Sequence, residues 1–338
     1  MSQLWNLPTL WLALIGVLWM AYFFFEGFDL GVGILLPVLG RDDVDRRFVL
    51  RSIWPLWDGN EVWPLVAGAA TFVAFPGWYS AIFRAFSLPL LLVVLALAGR
   101  AIAFQGRVRA RDPRRARRWD SVIFLASVAP TVLLGVAFAD LVGGVPMNAQ
   151  HQLTGTFLDL LRPFGILGGL TTFALCTYQG ALFLCLQRDR VVQLRARRVA
   201  SRTWWFALTL LLLFVGWHVL DEAERFSGTG ALPLLAAAAL VAADWLRRKR
   251  HELAAFLVGG LPVLLLLGTL LVDLYPRVLV SSTTPLGSLT IFNANAAPDV
   301  LAVMTILAAI FTPVAALCQA WTYLVFRSRL RPSGFEVA

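Results

Sequence analysis

Residues 9–37 read TLWLALIGVLWMAYFFFEGFDLGVGILLP, and within this run only Glu26 and Asp29 carry a charge. A run of this length exceeds the about 20 apolar residues that a transmembrane helix needs. Similar runs recur along the whole chain, so we predict nine transmembrane helices. Their expected bounds are about 9–37, 54–75, 80–104, 120–143, 163–186, 203–221, 230–246, 253–275 and 299–326.

The composition supports the same class of protein. Of the 338 residues, 59% are hydrophobic and 14% are charged, and the mean hydropathy is +0.74. Soluble domains carry about 25% charged residues, so an ordinary soluble enzyme is excluded. The runs do not alternate apolar with polar residues, as strands of a membrane β-barrel do. The sequence therefore predicts an all-α polytopic membrane protein, with residues 1–338 forming a single integral membrane domain.

The basic residues indicate an orientation. Of the 29 Lys and Arg residues, 25 fall in the odd-numbered loops and the C-terminal tail, and the even-numbered loops hold only Arg162, Arg225 and Arg277. Because cytoplasmic loops are enriched in Lys and Arg, we expect the N-terminus outside and the C-terminus in the cytoplasm. The same asymmetry accounts for the net charge of +9 without a nucleic-acid partner. We expect the arginine-rich stretch 107–118 to be a solvated loop.

Charged residues also occur inside the predicted spans. Glu26 and Asp29 are three positions apart and share one face of the first helix, and Asp58 and Glu61 repeat this spacing in the second. Arg100 lies near the end of the third span. Ionisable groups within a bilayer are costly and usually functional. They predict a buried polar cluster that takes up protons or holds a cation, in either a secondary transporter or a haem-poor subunit of a redox complex.

Histidine is scarce in this chain. Of its three histidines, only His218 falls within a predicted span. One buried histidine cannot supply two axial ligands to a haem, and we expect His218 to be a helix-interface residue rather than a ligand. Gly27 and Gly31 have the GxxxG spacing that allows close helix packing.

Several polar motifs lie at fixed positions within or beside apolar spans. They are FFEGFDLGVG (residues 24–33), WDGNEVW (57–63) and FPGWY (75–79), with SST (281–283), SLTI (288–291) and WTY (321–323) near the end. With these motifs the chain resembles, essentially end to end, subunit II of the cytochrome bd-type quinol oxidases.

That resemblance implies a function in the respiratory chain of the bacterial plasma membrane. Members form a heterodimer with subunit I, which carries haems b558, b595 and d, and the complex oxidises quinol and reduces O2 to water with cytoplasmic protons. The resemblance implies two four-helix bundles plus one peripheral helix, with neither catalytic residues nor haem ligands in this chain. Related complexes include a small single-helix subunit and in some cases a structural quinone in subunit II.

The resemblance and the charge pattern together give a set of candidate site residues. We expect these residues to line a cytoplasmic proton path or a cation site, with Asp29 and Asp58 as the ligands of a cation. The set comprises Glu26, Asp29, Asp58, Asn60, Glu61 and Arg100.

Overall fold

The computed structural model describes residues 7–187, 189–222 and 231–329, which are mainly α-helical. A small antiparallel hairpin pairs β1 (Arg277–Leu279) with β2 (Leu289–Thr290), and two 3-10 turns occupy Phe157–Leu160 and Pro285–Gly287. The helices are α1 (Leu7–Leu39), α2 (Asp43–Ile53), α3 (Trp57–Asn60), α4 (Val62–Ala74), α5 (Pro76–Ala85), α6 (Ser87–Arg109), α7 (Pro113–Gly143), α8 (Pro163–Cys185), α9 (Arg190–Glu222), α10 (Ala231–Arg248), α11 (Glu252–Gly259), α12 (Leu261–Leu274) and α13 (Pro298–Arg329).

Helix α1 lies at the centre of the packing and contacts α2, α4, α7, α8 and α12. Every residue from Glu26 to Leu36 is buried, so this part of the helix has neighbours on all sides. A helix that is apolar all round is expected to be enclosed in this way. As a result, the two carboxylates of α1 lie inside the protein rather than against lipid.

Seven helical segments of the described chain are long and apolar enough to cross a membrane, which makes this a multi-pass membrane protein. They coincide with seven of the nine predicted spans. The other two predictions, 54–75 and 230–246, correspond to the pair α3 and α4 and to α10. Some of the residues used in these predictions lie outside the described residues. They are residue 230 of the seventh predicted span, Arg188 and Arg225 of the charge count, and the C-terminal residues from 330 onward. The seven segments are Leu7–Leu39, Ser87–Arg109, Pro113–Gly143, Pro163–Cys185, Arg190–Leu220, Glu252–Leu274 and Pro298–Thr322.

Two connections expected to be loops are helical instead. Helix α2 follows α1 after a short turn, and the Asp42 carboxylate caps it by accepting a hydrogen bond from the Asp45 N–H at 2.8 Å. Its apolar face, which includes Val49 and Ile53, is buried. The prediction of a solvated loop over residues 107–118 is likewise wrong, because α6 continues to Arg109 and α7 begins at Pro113 with Asp112 as its cap. Local caps therefore extend helices into stretches whose charge indicated loops.

Helix α13 lies at the edge of the molecule. Only 6% of its most apolar window is buried against the rest of the chain. Near its N-terminal end, the Trp11 indole donates hydrogen bonds to the Leu301 carbonyl at 3.3 Å and to the Thr305 hydroxyl at 3.1 Å. Near its other end, Gln319 reaches into the protein interior, where it contacts the candidate site.

Candidate functional site

Three helices bring charged groups together in the interior. Helix α1 supplies Glu26 and Asp29, the junction of α3 and α4 supplies Glu61, and α6 supplies Arg100. Glu26, Asp29 and Arg100 are all completely buried, at 0% exposure. Helices whose surroundings are otherwise apolar thus enclose a compact charged cluster, as the sequence predicted from its position in the spans.

The Arg100 guanidinium is the centre of the cluster. Its Nη1 atom donates a hydrogen bond to Glu26 Oε1 and lies 3.5 Å from Glu61 Oε1. The guanidinium carbon lies 5.4 Å from the centre of the Phe104 ring, which fits a cation–π contact. One positive charge therefore serves two carboxyl groups, with a third, Asp29, close by on the same helix as Glu26.

A chain of amide side chains holds Asp29. The Asn60 amide donates to Asp29 Oδ2 at 2.7 Å and to the Phe25 carbonyl at 3.2 Å. Gln319 of α13 in turn donates to Asn60 Oδ1 at 2.9 Å. Sequence reasoning missed Gln319, although an amide within an apolar span was a signal that could have identified it. Helix α13 is therefore tied to the buried cluster by a specific polar contact.

Asp58 stands apart from the other candidate residues. It is exposed, and in the described part of the chain no hydrogen bond or ion pair joins it to the cluster. Exposure falls from Asp58 to Glu61, whose side chain is 20% exposed, and then to the completely buried Glu26. The three carboxyl groups therefore form a graded series from the surface to the interior.

The cluster retains unused hydrogen-bonding capacity. Within the described residues, Glu26 Oε2, Asp29 Oδ1 and the Nε and Nη2 atoms of Arg100 are buried without a hydrogen-bond partner. The Tyr22 hydroxyl is also buried without a hydrogen-bond partner among the described residues. Buried polar atoms are nearly always paired, and exceptions in native proteins are common at functional sites. These atoms can form further hydrogen bonds without breaking an existing contact.

The predicted cation pair is not brought into contact. Asp29 is buried beside Asn60, whereas Asp58 is exposed. Among the described residues, no three His, Cys, Asp or Glu side chains are grouped in a way that would hold a metal ion. The assignment of Asp29 and Asp58 as cation ligands stays a prediction.

A second charged network, which the sequence did not reveal, lies beside α2. Arg107 Nε donates to Asp120 Oδ1 at 2.6 Å, and Arg46 Nη1 donates to Asp120 Oδ2 at 3.0 Å. Asp43 accepts from Arg47 at 2.7 Å and from Arg107 at 2.5 Å. The hydrogen bond from Arg47, followed by that from Arg107, holds the pKa of Asp43 below its usual range. This network joins α2 to α6 and α7, and we interpret it as stabilising the packing of these three helices.

The histidine in the interior is engaged by a carboxylate. His218 Nε2 lies 2.6 Å from Asp273 Oδ2, and the pair links α9 to α12. This contact confirms the prediction of a helix-interface histidine. Outside the spans, His151 Nδ1 lies 2.9 Å from the Gly287 carbonyl. The ring nitrogens in these two contacts would have to leave their partners before they could ligate a haem iron.

Comparison with known proteins decides the family. Residues 7–326 match the family described as cytochrome bd terminal oxidase subunit II. The chain belongs to this family. It is 34% identical over 330 residues to cytochrome bd ubiquinol oxidase subunit 2 of Bacillus subtilis (strain 168), covering 96% of this chain and 97% of the relative. It is 32% identical over 371 residues to cytochrome bd-I ubiquinol oxidase subunit 2 of Escherichia coli (strain K12), covering 98% and 97%.

A solved structure supports the fold. A chain of the bd oxidase from Geobacillus thermodenitrificans superposes with a TM-score of 0.75 at 16% identity, covering 96% of this chain and 98% of that one. The family is that of a quinol oxidase, so this subunit II belongs to an oxidoreductase complex with a subunit I partner, and haem is a cofactor of such complexes. Of the two functions that the charge pattern allowed, the comparisons favour the redox complex over the transporter.

Proposed function

We propose that this chain is the haem-free subunit II of a heterodimeric terminal oxidase in the bacterial plasma membrane, and that haems b558, b595 and d all reside in subunit I. In this proposal the complex oxidises quinol and reduces O2 to water. The scarcity of histidine supports a haem-free chain, because His218 is paired with Asp273 and no second histidine lies in a predicted span. The catalytic residues then belong to subunit I, and this subunit stabilises it and contributes to proton delivery.

The proposed role in proton delivery is carried by one observation, the graded burial of three carboxyl groups toward Arg100. Asp58 is exposed, Glu61 is partly exposed and 3.5 Å from Arg100, and Glu26 is buried against the same guanidinium. Reduction of O2 to water consumes protons, and the low-dielectric interior supplies none. Carboxyl groups that share a single counter-charge cannot all ionise easily, so the cluster can store and release protons.

The same residues admit a second use. Asp29 and Asp58 are the candidate ligands of a structural cation, and oxygen atoms of carboxylates and amides are what hard cations prefer. The Asn60 side chain points its NH2 group at Asp29 and its oxygen at Gln319. It could offer that oxygen to a cation beside Asp29 only if the side-chain amide rotated and exchanged the two atoms. The existing contacts of Asn60 therefore favour the proton path over the cation site.

The wider architecture follows from the family and the charge pattern. In our proposal residues 1–338 form one membrane domain of nine spans, arranged as two four-helix bundles with α13 as the peripheral helix. The low burial of α13 supports its peripheral position. The pair α3 and α4 and the helix α10 form the remaining two spans, with the N-terminus outside. A small single-helix subunit and a structural quinone in this subunit complete the proposed complex.

The decisive test of the proton path is Asp58→Asn in the purified complex. The change removes an exposed carboxylate, and the haems lie in subunit I in this proposal, so we expect slower O2 consumption with an unchanged haem spectrum. Asp112→Asn is the matched control, because Asp112 is also exposed and Asn caps a helix as well as Asp does. If the Asp58→Asn complex assembles fully and turns over at the parent rate from about pH 6 to 9, the proton path is wrong.

A further inference from the structure

The cytoplasm-facing turn between α6 and α7 carries an unusual concentration of positive charge. Within ten residues it exposes six arginines, and Asp112 is the one acidic residue among them. We call this group the arginine turn. It consists of Arg109, Arg111, Arg114, Arg115, Arg117 and Arg118.

Several arginines elsewhere on the same side of the protein are paired with nearby acids. Arg107 binds Asp120, Arg195 binds Asp45, and Arg247 binds Asp244 at 2.6 Å. In contrast, no side chain of the arginine turn forms an ion pair with any residue that the structure describes. The turn therefore presents a formal charge of about +5 that the subunit itself does not balance.

The positions of these arginines do not serve the stability of the helix. Four of them lie in the first two turns of α7, whose N-terminal end carries a positive partial charge. Acidic residues are favoured there and cations are disfavoured. Orientation in the membrane requires positive charge in a cytoplasmic loop, but it does not require that charge on the first turns of a helix.

The arginines also share a face with exposed aliphatic residues of α7. Arg114, Arg118, Val122 and Leu125 follow one another at helical spacing, and all four are exposed, with Leu125 at 63%. The opposite face is buried through Ala116 and Asp120. One stripe of the helix thus passes directly from guanidinium groups to exposed aliphatic side chains.

The length of α7 places this transition at the membrane surface. Its 31 residues span about 46 Å, whereas the hydrocarbon core is about 30 Å thick. Because four arginines occupy the first two turns, we expect these turns to be the part that projects into the headgroup region. Trp119 follows at the boundary, packed so closely that a Cβ atom on Gly106 would lie 2.4 Å from its ring. Tryptophan is typical of this interface.

We propose that the arginine turn binds the headgroup of an anionic phospholipid, whose acyl chains lie along Val122 and Leu125. Guanidinium groups form paired hydrogen bonds with phosphate oxygens, and the adjoining aliphatic stripe matches the hydrocarbon of the same molecule. The arrangement recognises both ends of a lipid, which a soluble phosphate or an acidic protein segment would not require. This proposal concerns a surface distinct from the Glu26–Arg100 cluster and does not depend on the proton path.

The test compares two double variants of the intact complex by native mass spectrometry, with phosphatidylglycerol and phosphatidylcholine as probes. Arg114→Gln/Arg118→Gln removes two charges from the arginine turn. The control Arg41→Gln/Arg51→Gln removes two exposed cytoplasmic charges from the α1–α2 region, where acidic residues are near. We expect the parent and the control to retain phosphatidylglycerol over phosphatidylcholine, and the first variant to bind phosphatidylglycerol about 10- to 30-fold more weakly.

Three outcomes would overturn the proposal. The first is unchanged retention of phosphatidylglycerol by Arg114→Gln/Arg118→Gln. The second is an equal loss in both double variants, which would show a general effect of charge. The third is displacement of the bound lipid by inorganic phosphate at millimolar concentration, which would identify a site for free phosphate. Haem content measured on the same samples verifies that each complex is assembled.

Discussion

Arg100 and Glu26 depend on each other, because each is completely buried and the other supplies its opposite charge. Removing one member of a buried ion pair leaves the other charge unbalanced, which costs about 3–5 kcal/mol. We therefore expect Arg100→Gln to reduce the yield of assembled complex and its thermal midpoint. An exposed arginine such as Arg198 serves as the control, and Arg198→Gln should have little effect.

The double variant Arg100→Gln/Glu26→Gln separates charge balance from packing. It removes both charges and keeps two hydrogen-bonding side chains of similar size. We expect it to regain part of the thermal midpoint lost in Arg100→Gln, because the buried Glu26 carboxylate no longer lacks its counter-charge, although Asp29 and Glu61 remain. A double variant as unstable as Arg100→Gln would show that the guanidinium acts through its fit beside Phe104 rather than through its charge.

For individual residues, the sequence predicted which charges are buried but not all of their partners. Glu26 and Arg100 stand out because ionisable residues are rare within apolar runs. Gln319 and Asp120 were missed because their partners lie on other helices, at Asn60 and Arg107. A linear pattern shows which residues are out of place in a span. It does not show which helix faces them.

The crossing of α1 and α8 depends on two glycines. A Cβ atom on Gly31 would lie 1.9 Å from the Cys176 carbonyl oxygen, and one on Gly180 would lie 2.4 Å from the Gly31 carbonyl carbon. Both obstacles are backbone atoms, which cannot move aside as a flexible side chain can. We expect Gly31→Ala to separate the helices, to displace Glu26 and Asp29, and to cost more than the about 1–3 kcal/mol typical of overpacking.

The matched control is Gly216→Ala in α9. Apart from the backbone of its own helix and its two chain neighbours, no heavy atom of the described residues lies within 4 Å of the position that its Cβ would occupy. Alanine is also the better helix former, so this change should leave the thermal midpoint of the complex unchanged or slightly raised. The measurement is thermal denaturation of both variants, and equal effects would contradict a role for close packing at Gly31.

Helix boundaries were the less predictable feature at the level of elements. The predicted span 253–275 is divided into α11 and α12 at Gly260, just before Pro262 removes a backbone donor. The predicted span 54–75 is divided near Glu61 in the same way. Hydropathy measures the apolar content of a run and is insensitive to such local breaks, so it predicted the spans but not their interruptions.

The orientation of the whole molecule can be tested with three single cysteines. Arg111, Arg198 and Gln150 are exposed, and Cys318 is the exposed native cysteine of the described chain, so Cys318→Ser gives a suitable background. We expect cysteines at Arg111 and Arg198 to react with an impermeant reagent only from the cytoplasmic side, and a cysteine at Gln150 only from outside. Reversal at any one position would contradict the nine-span arrangement.

The division of cofactors between the two subunits is the last property of the whole complex to be tested. A haem of the bis-histidine type needs two imidazoles that face each other across a dry interior. Here His218 is held by Asp273, and His151 contacts a loop carbonyl. We therefore expect the chain expressed without subunit I to lack a stoichiometric haem signal in its reduced-minus-oxidised spectrum, whereas the intact complex shows one.

In the intact complex, His218→Gln should leave the haem content unchanged, since the His218 ring links α9 to α12. A haem signal in the isolated chain that disappears with His218→Gln would assign a haem to this subunit.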